Sequence, residues 1–266
     1  MTRVGFIGTG RMGAPMVSRL IGAGHQVSAL ARSDEKVSAI TELGAIATAA
    51  PAEVADRADV VVICVFTDEQ VRQVCLDADL IAAMSPGATL VLHTTGSPRT
   101  AEAIAARAQP AGVDVVDAPV SGGPHDIAAG HVTVFAGGTD EAVARVTPVL
   151  AAYGDPILHL GPVGTGQRVK LVNNTLFAGQ IGLLVEAVKL AQSLGIPEAA
   201  LLTALPHGSG ASRALAGVAA RGSVEKFIET AGGFVGKDVE VVRKVSAELG
   251  ADLGVLDDIV NTWLGA

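Results

Sequence analysis

Val4-Gly5-Phe6-Ile7-Gly8-Thr9-Gly10-Arg11-Met12-Gly13 decides the fold of this chain: a short apolar run passes into G-x-G-x-x-G and then into a helical pattern. Such an arrangement opens a βαβ unit that binds a dinucleotide. Gly8 permits the tight turn, Gly10 lets the backbone approach a pyrophosphate, and Gly13 lets the helix pack on the strand. The helix N-terminus then faces the negative charge. The hexapeptide alone is a weak signal, and its place at the head of alternating strand and helix patterns makes it specific.

Outward from that turn, short runs rich in Val and Ile alternate with amphipathic stretches as far as residue 160, as in a parallel sheet. The pattern predicts strands near Val4 to Ile7, Val27 to Leu30, Val60 to Phe66, Thr89 to Leu92, Val113 to Val116, Val132 to Phe135 and Ile157 to Leu160. Gly24 reads as the glycine that ends the first helix, and Ser97-Pro98 as a helix cap followed by proline at the first helical position. Beyond Gly161 the character changes. After Gly161-Pro162-Val163-Gly164-Thr165-Gly166 a helical pattern of about 28 residues runs to Leu194, where Gly195 and Pro197 end it. Further helices are predicted over Glu198 to Leu205, Ala211 to Arg221, Lys237 to Leu249 and Val255 to Leu264. The expected class is α/β: an N-terminal Rossmann-type doubly wound sheet over 1–161, then an all-helical domain over 162–266, joined by a long interdomain helix.

The chain has 266 residues, with 19 Lys and Arg against 27 Asp and Glu, a net charge of −8. Hydrophobic residues make up 49% and charged ones 17%, which excludes a disordered chain. An acidic balance without a basic run argues against nucleic acid and membrane surfaces as partners and leaves a small molecule. The longest unbroken apolar run, Val60 to Phe66, is shorter than the roughly 20 residues a bilayer requires, and Met1-Thr2-Arg3 does not open a signal peptide. A cytoplasmic protein is expected. Cys64 and Cys75 cannot build a disulfide framework, and the scattered histidines lack metal-ligand spacing, so no metal is implied.

The end of the second strand bears on the choice of dinucleotide. An acidic residue there holds the ribose 2′-hydroxyl of NAD, whereas an arginine accommodates the 2′-phosphate of NADP. Here Leu30-Ala31 is followed by Arg32-Ser33. Arg32 is placed to pair with a phosphate and Ser33 to add a hydroxyl bond, which favours NADP. Asp34 and Glu35 are the counter-case, since either is near enough in sequence to reach a ribose hydroxyl.

Four segments, in order, resemble the signatures of the β-hydroxyacid dehydrogenases: Gly8-Thr9-Gly10-Arg11-Met12-Gly13; Asp117-Ala118-Pro119-Val120-Ser121-Gly122-Gly123; Gly161-x-x-Gly164-x-Gly166-x-x-x-Lys170-x-x-x-Asn174; and Gly236-Lys237-Asp238. The family includes 3-hydroxyisobutyrate dehydrogenase, tartronate semialdehyde reductase and the glyoxylate/succinic semialdehyde reductases. The resemblance implies that Lys170 is the catalytic acid/base and that Asn174 assists it. Four residues apart, the two share a helix face. A lysine serves in this role if its surroundings let it exchange protons near neutrality. The resemblance further implies that Ser121, Gly122 and Gly123 bind a substrate carboxylate, and consecutive glycines suit this by freeing backbone N–H groups. It places Thr95 at cofactor and substrate, and Val65, Phe66 and Lys237 at the cofactor. Asp238 reads equally well as an acid in the first turn of a helix.

The implied reaction is NADP-dependent interconversion of a small 3-hydroxy acid, or related hydroxy acid, and its semialdehyde. A homodimer or homotetramer is implied as well, in keeping with the Ala, Val and Leu content of the helical part. Imine reductases share the architecture but usually lack the lysine, and a phosphogluconate dehydrogenase would carry His where Asn173 stands. A non-catalytic NADP-binding sensor has no need of Lys170 and Asn174. There are departures from the family pattern: Phe66 where proline is frequent, Leu92-His93-Thr94-Thr95 where a run usually begins with Asp, His125-Asp126 beside the glycine pair, and an end at Ala266 where relatives continue through further helix.

Overall fold

β4, Val60–Ile63, is buried at every position and lies at the centre of the larger sheet. The structure is a computed structural model that describes residues 1–264; Gly265 and Ala266, at the end of the expected helical domain, lie outside the described residues. Val60 and Val62 join Val4, Phe6 and Val27 in a core on one face, while Val61 and Ile63 join Ile7, Leu90 and Leu92 in a core on the other. A strand covered on both faces reads as one continuous apolar run. Burying each such side chain contributes about 1.5–3 kcal/mol.

The sheet contains β1 (Arg3–Ile7), β2 (Gln26–Leu30), β3 (Ile46–Thr48), β4, β5 (Thr89–Leu92) and β6 (Asp114–Asp117). All neighbours are parallel, in the order β3-β2-β1-β4-β5-β6. The chain therefore reverses its direction of travel across the sheet between β1 and β4, and the crevice at their carboxyl ends is where ligands of doubly wound sheets bind. β7 (Val120–Ser121), β8 (Val132–Ala136) and β9 (Gly154–His159) form a second, mixed sheet. Asp117, at the end of β6, pairs with Gly137 just past β8 and ties the two sheets together.

Some boundaries differ from the sequence reading. β4 stops at Ile63 and not at Phe66, because Thr94 takes both backbone groups of Val65. β3 and β7, three and two residues long, are too short to show a period and were not expected. The helix expected from Lys237 begins at Val224, where Ser223 caps it by accepting the Lys226 N–H. Gly232, Gly233 and Gly236 mask that start in the sequence, yet Val224, Phe227, Val235, Val239, Val242 and Val245 bury a continuous stripe. Asp238 is consequently interior to a helix and not in its first turn.

The chain forms two compact units, Met1–Lys170 and Leu171–Ala266, and the helix Thr165–Ser193 runs through the junction. This helix is long and apolar enough to span a membrane, with a mean hydropathy of 1.3 over its most apolar 18 residues, although polar residues interrupt every apolar run within it. Half of that window is buried in the protein. Ala178, Ile181, Leu184 and Val188 belong to the core of the helical unit, where the Trp263 indole N–H donates to the Ala178 carbonyl at 3.0 Å. At Gly182 a Cβ would collide with the Ile259 carbonyl oxygen, so glycine sets how closely the helix Val255–Leu264 approaches.

Candidate active site

The turn after β1 distributes three demands over three glycines. Gly8 has φ +110°, and a Cβ there would strike the Cys64 carbonyl. At Gly13, the first residue of the helix Gly13–Gly22, a Cβ would strike the Gly8 carbonyl and approach the Phe6 ring. At Gly10 a Cβ would meet nothing within 4 Å. Space is left above Gly10, next to a helix N-terminus, and that is the cradle a pyrophosphate fits. Thr9, Arg11 and Met12 lie in the same turn.

Arg32 follows β2, exposed, with no carboxylate partner among the described residues. Ser33 caps the helix Asp34–Glu42, its Oγ accepting the Lys36 N–H at 3.3 Å, so the hydroxyl proton is left to donate elsewhere. Asp34 and Glu35 occupy the first turn of that helix, where their charge complements its N-terminus.

Polar bonds lock together the loops that follow β4 and β5. The Val65 N–H donates to Thr94 Oγ1 at 3.0 Å, and the Thr94 hydroxyl donates to the Val65 carbonyl at 2.9 Å. Phe66 and Thr67 both donate backbone N–H groups to Gln70 Oε1, and Phe66 is 59% exposed at the carboxyl edge. Asp68 accepts the Ser97 N–H and the Thr100 hydroxyl. Thr95 is partly exposed between these anchors. Ser97 and Pro98 begin a helix as expected, although the Ser97 side chain makes no cap bond and the Ser97 N–H donates to Asp68.

His93 is buried between β6 and the residues before β9, with Nδ1 2.5 Å from the Ala118 carbonyl and Nε2 2.8 Å from the Tyr153 hydroxyl. A carbonyl can only accept, so Nδ1 carries the proton and Tyr153 donates to Nε2. Burial lowers the imidazole to about 4, which keeps it neutral.

Asp117 is fully buried. It accepts the Gly164 N–H at 2.6 Å on Oδ1 and the Gln167 N–H at 2.7 Å on Oδ2. Burial pushes the carboxyl up to about 6, while the two backbone N–H groups favour its ionised form. The Gln167 side chain, also buried, accepts the Gly96 N–H at 3.0 Å and donates to the Thr94 carbonyl at 2.8 Å. Lys170 lies one turn further along the same helix and is buried.

The segment Ser121-Gly122-Gly123 departs from expectation at one residue. Gly122 has φ +142°, and the Gly123 N–H donates to Asp126 Oδ2 at 2.7 Å. That N–H is already engaged by a carboxylate of the chain, so two successive free donors for an anion are not present. His125 Nε2 lies 3.4 Å from the same Asp126 oxygen. In the helical unit Asn174 is buried, and its amide donates to Asp238 Oδ2 at 3.1 Å. Asp238 Oδ1 pairs with the Lys237 ammonium at 3.3 Å. The structure thus assembles the glycine turn, Val65 and Thr95 along the sheet's carboxyl edge, and joins Lys237 to Asn174 through Asp238. Asp68, Asp117 and Gln167 went unassigned from the sequence, because their partners lie 29 to 73 residues away and no local pattern marks such a bond.

A family model for the NAD binding domain of 6-phosphogluconate dehydrogenase matches residues 3–161, and one for the NAD-binding of NADP-dependent 3-hydroxyisobutyrate dehydrogenase matches residues 164–265. The chain belongs to the β-hydroxyacid dehydrogenase family. It is an oxidoreductase that acts on CH–OH groups with NAD(P). Among its relatives, an NAD-dependent L-serine dehydrogenase of Pseudomonas aeruginosa is 35% identical over 81% of this chain and 72% of that protein. A probable 3-hydroxyisobutyrate dehydrogenase of Mycobacterium bovis is 36% identical over 79% of this chain and 71% of that protein. The structure of Mycobacterium tuberculosis 3-hydroxyisobutyrate dehydrogenase with L-serine superposes with a TM-score of 0.87 at 28% identity, covering 98% of this chain and 92% of the other.

Proposed function

We propose that this β-hydroxyacid dehydrogenase interconverts a small 3-hydroxy acid, or related hydroxy acid, and its semialdehyde, uses NADP in preference to NAD, and employs Lys170 as its acid/base. The observation that carries the reading is the buried Lys170, one helical turn from a glutamine whose amide binds the Thr94 carbonyl and the Gly96 N–H. The dinucleotide supplies the two-electron acceptor. Lys170, neutral, takes the hydroxyl proton during oxidation and, as ammonium, returns it during reduction. Asn174 orients the reacting oxygen, its own amide oriented by Asp238. Ser121 and Gly122 hold the substrate carboxylate, and Gly123 shapes the turn around Asp126. The cytoplasm is the proposed location.

The test is a turnover screen of small hydroxy acids and semialdehydes, each beside its neutral amide or diol analogue, with both cofactors in parallel. A site built for a carboxylate leaves donors unpaired with the neutral analogues, so kcat/KM is expected to favour the acids. Equal turnover of acids and analogues would remove the carboxylate from the substrate class.

Cofactor choice rests on Arg32. Losing one charge-assisted contact to the 2′-phosphate costs about 1.5–3 kcal/mol, so Arg32→Asp is expected to weaken NADP binding roughly tenfold to a hundredfold. NAD binding should change little. Comparable losses for both dinucleotides in calorimetric titration, or a wild type that binds NAD more tightly, would overturn the NADP assignment.

A further inference from the structure

We propose that Asp117 and Gln167 are positioning residues that fix Lys170 against the Thr94-Thr95-Gly96 loop. The inference rests on Lys170 being the acid/base and deepens that reading by naming what aims it.

A helix leaves its first four N–H groups without partners inside itself. The N–H of Gln167, in the first turn of the helix Thr165–Ser193, and that of Gly164, just before the helix, both go to the Asp117 carboxylate, an anion at the positive end of a 29-residue helix. The support beneath that carboxylate is rigid. The Asp117 N–H donates to the Gly137 carbonyl at 3.0 Å, and the Gly137 N–H donates back to the Asp117 carbonyl at 2.7 Å. There is also no slack around it. A Cβ on Gly137 would lie 2.5 Å from Asp117 Oδ1, and one on Gly166 would strike the Phe135 carbonyl. The first turn of the helix is held flush against the ends of β6 and β8.

Gln167 makes the second connection. Its backbone is bound by Asp117, and its amide spans two backbone groups of the loop after β5. The orientation of the amide is fixed chemically, because Gly96 offers only a donor and Thr94 only an acceptor. Gln167 and Lys170, three residues apart, are neighbours on one helix face. The loop carrying Thr95 and the helix carrying Lys170 are therefore joined by side chain as well as by packing. A reacting group displaced by 1 Å can lose about a hundredfold in rate, so a brace of this kind acts on the chemical step.

The experiment compares Asp117→Asn and Gln167→Met with wild type, alone and combined with Lys170→Ala, in the full chain. Asp117→Asn keeps the shape but turns an N–H toward one of the two backbone donors. Gln167→Met keeps the length and removes both amide bonds. Each folded single variant should lose tenfold or more in kcat while its NADP dissociation constant, read by calorimetry, stays within about threefold of wild type. In the Lys170→Ala background neither change should lower kcat further, since a residue that acts through Lys170 has nothing left to position. If Asp117→Asn fails to fold, Gln167→Met decides alone. A folded Gln167→Met with kcat within twofold of wild type, or equal losses with and without Lys170, overturns the proposal. Lys170→Ala retaining wild-type kcat would overturn the acid/base reading and this one with it. A damaged Lys170→Ala beside an intact Gln167→Met would overturn the positioning role alone.

Discussion

Lys170→Ala is expected to lower kcat on the best hydroxy acid by about 10² to 10⁴, the usual contribution of a placed general acid or base. Lys170 is buried on a helix whose first turn is fixed by Asp117, and the loss should appear in kcat and in kcat/KM together. NADP binding should persist, because the glycine turn is built by β1 and the helix Gly13–Gly22 without Lys170. Arginine should not rescue the variant, since a guanidinium does not release its proton near neutral pH. Steady-state kinetics with calorimetric cofactor titration decide the matter. Retention of most of the kcat would move the proton transfer to another group.

The second large effect concerns stability against pH. His93 has a folded value of about 4, against about 6.5 when free, and it remains neutral because it is buried. A depressed folded value contributes stability above the free value that is lost as pH falls from about 6.5 to 4, amounting to about 3 kcal/mol. Asp117 has the opposite sign. Its folded value of about 6 lies above the ordinary carboxylate value near 4, so the folded state holds the proton more tightly. Its contribution of about 3 kcal/mol is gained as pH falls from 6 to 4. The two therefore nearly cancel over that window. Replacing His93 by Gln removes one side of the balance. In urea unfolding, the stability gap between wild type and His93→Gln should shrink by about 3 kcal/mol from pH 6.5 to 4. A gap that stays constant over that range would show that His93 titrates as a solvated imidazole does.

The larger sheet was legible because its strands are covered on both faces, so Val60–Ile63 and Thr89–Leu92 stand out as apolar blocks between helical patterns. The glycine turn was legible because its three demands fall within six residues. Shorter or interrupted elements escaped. Ile46–Thr48 has too few residues to show a period, and the three glycines of Val224–Leu249 imitate a break that burial of its valines overrides. The site divides in the same manner. Lys170 and Asn174 are singled out by the motif that resembles the family's, since spacing alone would leave Lys170 an ordinary helix lysine, whereas Asp117 reaches Gly164 across 47 residues and Gln167 reaches Thr94 across 73. Bonds of that separation come from the topology and from no local property of either residue. The Asp126 carboxylate on the Gly123 N–H was hidden for a different reason, since residue identity alone carries no direction for a side chain.

The three glycines of the opening turn answer to different masters. Steric collision forbids a methyl group at Gly8 and Gly13 whether or not anything is bound, so those two are conditions for the backbone to close at all. Gly10 has open space where its side chain would be, and only a ligand's approach excludes one. A single short signature therefore encodes two separable instructions, one addressed to the folding chain and one to its guest. Descendants of this protein that abandoned the dinucleotide would be free to drift at Gly10 while remaining bound to glycine on either side of it.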